Sequence, residues 1–122
     1  MPRVGRRLLI VAVLAVVGAL AVAGVVSAKS TVKLSASKTK LAFNVKTIRA
    51  SKGSVTLVMS NPSSLPHAIA IKGGGKNVKG KTVNKGGTSR VTVSLTKKGT
   101  YTFYCPVDGH AAAGMKGKLI VS

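Results

Sequence analysis

Apolar and polar residues alternate with a period of two along most of the chain from Thr31 onward, the pattern of half-buried β-strands. Between Thr31 and Ser37, the residues Val32, Leu34 and Ala36 share one face, and Leu41, Phe43 and Val45 then alternate with Ala42, Asn44 and Lys46. After the turn signal Lys52-Gly53, Val55, Leu57 and Met59 alternate with Thr56, Val58 and Ser60, which makes Met59 a core residue. Asn61-Pro62-Ser63-Ser64 breaks that strand and His67-Ala68-Ile69-Ala70-Ile71 resumes the pattern. The stretch Lys72 to Lys81 contains Gly73-Gly74-Gly75 and reads as a flexible loop, with a weak strand near Thr82-Val83. Arg90 to Thr96 alternates cleanly, Lys97-Lys98-Gly99 turns into Thr100 to Cys105, and Lys118 to Val121 closes the chain. About eight short strands with no helix between them predict an all-β fold, an antiparallel sandwich or barrel. No internal repeat is visible.

The first 28 residues break this pattern. Arg3, Arg6 and Arg7 precede an uncharged apolar run of 19 residues from Leu8 to Val26, and Val26-Ser27-Ala28 offers small residues for a signal peptidase. In form, residues 1–28 are a secretory signal; the run is also long enough to stay as an N-terminal membrane anchor helix. Either outcome exports residues 29–122 as one domain, to a periplasm or an outer cell surface. No cysteine stands near the cleavage point, which excludes a lipoprotein anchor.

Charge narrows the partners. From Lys29 on, fifteen lysines and two arginines face a single acid, Asp108, a formal charge of +16. Such a surface favours polyanions or acid-faced proteins and is sensitive to salt. Export, few aromatics and the absence of a nucleic-acid motif argue against nucleic acid. The candidates are an acidic redox protein, anionic membrane lipids or acidic wall polymers; the plain alternative is a solvated lysine surface on a soluble monomer. Gly73-Gly74-Gly75-Lys76 lacks the strand–loop–helix context of a phosphate loop, and Asn61-Pro62-Ser63 is blocked as a glycosylation site by its proline.

The chemistry concentrates in Tyr101 to Met115, YTFYCPVDGHAAAGM. It holds the only cysteine, Cys105, followed at equal spacing by His110 and Met115; the other histidine is His67. A lone thiol in an exported protein forms no internal disulfide, so it is free, intermolecular or a metal ligand. Taken singly, His67 on an apolar face reads as a hydrogen-bonded core histidine, Met115 as core filler and Cys105 as a buried thiol. Together they are two imidazoles, one thiolate and a thioether, the ligand set of a blue-copper site. Strand parity permits the meeting: Cys105 shares its face with Tyr101 and Phe103, and His67 with Ile69 and Ile71.

These residues carry a resemblance. VTLVMSNPSSLPHAIAI and GTYTFYCPVDGHAAAGMKGKLIV resemble the ligand-bearing segments of the cupredoxins, small type 1 copper proteins of the plastocyanin, amicyanin and sulfocyanin kind. The resemblance covers most of Thr31 to Ser122. It implies an eight-stranded Greek-key β-sandwich, one copper ion held by His67, Cys105, His110 and Met115, and one-electron transfer. It also implies a second exit route through Tyr104, which reads equally as an outward strand aromatic. Three features depart from the family pattern. The gap of four residues between Cys105 and His110 is longer than plastocyanin's and closer to the azurin or sulfocyanin arrangement. Ala68 follows the first histidine where many members have Asn, so the side-chain link between the ligand strands is missing or is replaced by Asn61. The surface is rich in lysine where plastocyanin has an acidic docking patch.

Counting excludes other chemistry. One cysteine cannot bridge a dinuclear copper centre, two histidines cannot serve a second metal, and a single carboxylate cannot perform paired acid–base catalysis. A non-enzyme is expected, with three functions open: an electron shuttle, a copper-holding or copper-delivery protein, and a surface adhesion domain that uses copper as a staple.

Overall fold

In the computed structural model, which describes residues 28–122, the alternating segments fold into eight strands. They are β1 (Lys29–Ser35), β2 (Thr47–Ala50), β3 (Gly53–Ser60), β4 (Ala70–Gly73), β5 (Lys76–Lys79), β6 (Thr88–Leu95), β7 (Gly99–Tyr104) and β8 (Lys116–Val121). The expected signal or anchor in residues 1–28 lies outside the described residues, apart from Ala28 itself.

Two sheets face each other, one ordered β1-β3-β6 and the other β2-β8-β7-β4-β5. Each strand except β5 spends one side on the space between them. On β6 burial alternates residue by residue, and Val91, Val93 and Leu95 enter the core. From β3 come Val55, Leu57 and Met59, all fully buried; they meet Ile71, Phe103 and Leu119 from the other sheet. Burying a side chain of this size stabilises the fold by about 1.5–3 kcal/mol.

The sheets are mixed, where the pattern alone predicts antiparallel pairing. β1 runs parallel to β3 and β2 parallel to β8. The reason is the route of the chain, which leaves the first sheet after β1, contributes β2 to the second, and returns as β3.

Three segments differ from the expectation. Leu41 to Val45 forms no strand; Phe43 makes one isolated bridge to Ala36 and reaches the core as part of an irregular excursion. Its ring packs on Phe103 with centroids 5.5 Å apart. Asn44 closes the excursion, its side-chain oxygen accepting from the Ser35 amide (2.8 Å) while its own amide donates to the Ser35 carbonyl. The strand on this side is β2, where Ile48 and Ala50 are buried. Second, the expected loop Lys72 to Lys81 is largely the hairpin β4–β5. Gly73 pairs with Lys76, so Gly74-Gly75 is a two-residue turn, and φ values of 57° and 78° are those a primed turn needs and glycine supplies. Third, the weak strand near Val83 is a single bridge, to His67.

Candidate metal centre

Four residues converge at one end of the sandwich. Cys105 follows the last residue of β7, where parity keeps its thiol on the inward side with Tyr101 and Phe103; it is fully buried. His67 stands three residues before β4 and is also fully buried. Its position is fixed by the bridge to Val83, amide to carbonyl in both directions at 3.1 and 2.8 Å. His110 lies in the turn-rich segment between β7 and β8 and is only partly covered. It is therefore the histidine with an edge toward solvent.

The loop is closed by its own backbone. The Cys105 amide donates to the Met115 carbonyl (3.0 Å), the Met115 amide to the His110 carbonyl (3.1 Å), and the His110 amide to the Val107 carbonyl (3.0 Å). Met115, with no exposed surface, is therefore tied by main-chain bonds to both loop residues that bear ligand atoms.

Side-chain geometry completes the cluster. The Nδ1 atoms of His67 and His110 are 3.2 Å apart, and the Cys105 Sγ lies 3.6 Å from the His110 Nδ1 and 3.9 Å from the His67 Nδ1. A point equidistant from three atoms with those separations is about 2.1 Å from each, close to a metal–imidazole bond and slightly short of a metal–thiolate bond. The imidazoles meet edge to face at a centroid distance of 5.0 Å.

Electrostatics suit a cation. Burial, and then the neighbouring His110, lower the pKa of His67 below its ordinary value. Its ring is thereby held neutral at pH 7, with a lone pair available to a metal. The His67 Nε2 is buried without a hydrogen-bond partner, so the polar contacts of this ring all lie on the Nδ1 side, toward the cluster. Among the described residues no other group of histidine, cysteine and carboxylate side chains has metal-binding spacing. The donors are two nitrogens and a sulfur, with buried Met115 tied by its main chain to the same loop and no carboxylate among them, a set that favours copper over the hard cations.

Asn61 is the feature that sequence reasoning placed only in part. It is buried, and its side-chain amide donates to the carbonyls of Leu65 (2.8 Å) and Val83 (2.9 Å) while its oxygen accepts from the Ser63 amide (2.9 Å). It therefore braces the approach to His67 and the Val83 segment that His67 bridges to. The Cys105 side is joined to the His67 side by the main-chain ladder, in which Ala70 pairs with Tyr104.

A two-sheet β-sandwich with two imidazoles and one thiol gathered at its end defines a cupredoxin, a small type 1 copper protein. The model of the copper-binding proteins of the plastocyanin/azurin family matches residues 30–122, and the chain belongs to that family. It is similar to plastocyanin of Daucus carota, 35% identical over 99 residues that span 75% of this chain and 98% of the relative. A shorter stretch of 30 residues, 25% of this chain and 29% of the relative, is 60% identical to plastocyanin A/B of Petroselinum crispum. Among solved structures, reduced auracyanin from Roseiflexus castenholzii superimposes with a TM-score of 0.70 at 24% identity, covering 76% of this chain and 97% of that one. Auracyanin A from Chloroflexus aurantiacus does so at 0.66, also at 24% identity, over 78% and 100%. These two likenesses show the fold. The family and the geometry together make His67, Cys105, His110 and Met115 the arrangement of a type 1 copper site.

Proposed function

We propose that the protein is an exported one-electron carrier, in which His67, Cys105 and His110 would hold one copper ion with Met115 as a weak fourth ligand. The observation that carries the reading is the triangle of two imidazole nitrogens and one sulfur, 3.2 to 3.9 Å on a side, buried at the end of the sandwich. Copper held by these residues would supply one-electron redox chemistry, since two imidazoles, a thiolate and a weak thioether suit both of its oxidation states.

The chain's own residues provide what that exchange needs. Strand β7 and the bridge at Val83 hold Cys105 and His67 against rearrangement, and the closed loop does the same for His110. Burial of His67, Cys105 and Met115 keeps water from the ligand atoms. His110 brings one ligand to the surface, among the exposed Ala112 and Ala113 of its own loop. Both imidazoles and the only thiol of the chain are committed to this one site, and the single acid is exposed, which supports a carrier and not an enzyme. The apolar N-terminal run and the solitary thiol support an exported location.

Repeated cycling of the copper-loaded protein between ascorbate and ferricyanide in the presence of a copper chelator tests the reading. A carrier keeps its metal and its absorbance through many cycles. Loss of copper to the chelator in the first cycles would replace this reading with copper delivery.

A further inference from the structure

We infer that the outer face of the five-stranded sheet is a docking surface for an acidic protein, the partner of the carrier proposed above, on which reading this inference rests. Cross-strand register builds the face. One row crosses the sheet as Thr47, Lys118, Thr102, Lys72 and Asn77, and the next runs Lys116, Tyr104, Ala70 and Lys79. Lys46 and Arg49 add charge at the β2 edge, and all six basic side chains are exposed. None of the five strands bears an acid, and Asp108, the only acid in the sequence, lies in the ligand loop.

The face is shaped as well as charged. Lys46, Lys72, Lys116 and Lys118 line a cleft of about 520 Å³ with Thr47 and Thr102. Lysine and threonine side chains line it with no carboxylate among them, and a projecting carboxylate is the group that complements them. Like charges gathered on one face repel each other, and an opposing acidic surface relieves that repulsion. The other sheet presents a different outer face, in which Lys33 and Arg90 flank Val58 in one row and Thr56 and Thr92 bond each other in the next.

Position links the face to the metal centre. At the middle of the face is Tyr104, its ring under the Lys72 Nζ at 4.7 Å and its hydroxyl donating to the Asn77 side chain. Tyr104 is bonded directly to Cys105, so a partner seated here lies over the residue next to the thiol. A protein fits better than a lipid surface, because among the described residues the large exposed apolar side chains are Leu65 and Val78, and neither belongs to these rows. The face has nothing to insert into a bilayer.

Amide NMR of the ascorbate-reduced, copper-loaded protein, titrated with poly-L-glutamate at low salt, tests the inference. The expected result is saturable shifts centred on Lys72, Thr102, Tyr104, Lys116 and Lys118. Replacing Lys72→Gln with Lys118→Gln should weaken the binding roughly fivefold or more, from the loss of two exposed charge pairs. The control pair Lys33→Gln and Arg90→Gln, equally exposed, should leave it within about twofold. Shifts spread evenly over the surface, or equal weakening by both pairs, would overturn the inference. So would tighter binding to phosphatidylglycerol vesicles than to poly-glutamate, lost in the same variant, which would make the face a lipid surface. The carrier reading is followed separately in the same samples, by bleaching of the visible band with ascorbate and its return with ferricyanide. Docking absent while cycling persists sinks the docking surface alone, and docking present without cycling sinks the carrier.

Discussion

Cys105 has no second cysteine to pair with and no exposed surface to react from, so its chemistry is decided by the two imidazoles within 3.9 Å of its sulfur. Replacing Cys105→Ala should abolish coloured copper binding, checked by visible absorption after addition of Cu(II). Met115→Leu should keep the colour and raise the reduction potential measured by voltammetry, because losing the thioether donor disfavours Cu(II) more than Cu(I). Asn61 acts on a different quantity. Replacing Asn61→Ala removes these donors from the part-buried carbonyls of Leu65 and Val83, at a cost of about 2 kcal/mol. A urea unfolding curve unchanged from the parent would refute that role. At this scale much was legible in advance, because donor type and order are written in the residues themselves. The bracing role of Asn61 was legible only as a substitute for the residue that Ala68 displaces. Its actual acceptors are main-chain groups whose positions depend on the folded loop.

Strand existence was readable wherever one face is buried and the other wet, as on β3, β6 and β7. It failed at both ends of the five-stranded sheet, for different reasons. On β5 all four residues are exposed, so no alternation marks them, and the strand owes its existence to the Gly74-Gly75 turn and pairing with β4. Near β2, the sequence offers two alternating runs in succession, and only the second pairs with a neighbour; Phe43 reaches the core from coil. Parallel pairing was beyond the pattern, since period-two burial is the same in both directions. The close contact between β8 and β7 gives a test of the sheet. A Cβ on Gly117 would lie 2.2 Å from the Phe103 ring and 2.6 Å from the Lys46 carbonyl. Gly117→Ala should therefore cost about 1–3 kcal/mol, through displacement of a core aromatic or of the backbone. Thermal melting at the parental midpoint would show that the sheet yields more easily than its packing indicates.

The whole domain folds against its own charge. With a formal +16 from Lys29 onward and one acid to offset it, repulsion between exposed lysines opposes the compact state. Added sodium chloride shortens the screening length from about 30 Å at 0.01 M to about 8 Å at 0.15 M. The urea midpoint should therefore rise with salt over that range, and a midpoint that falls would mean that attractive pairs dominate. All these levels meet at the copper centre, and the most direct test of it is the visible absorption and EPR spectrum after addition of Cu(II), followed by one cycle of ascorbate and ferricyanide. The expected result is an intense blue or green thiolate-to-copper band that bleaches on reduction and returns on oxidation. A colourless protein, or the same band in Cys105→Ala, would contradict the assignment of the site.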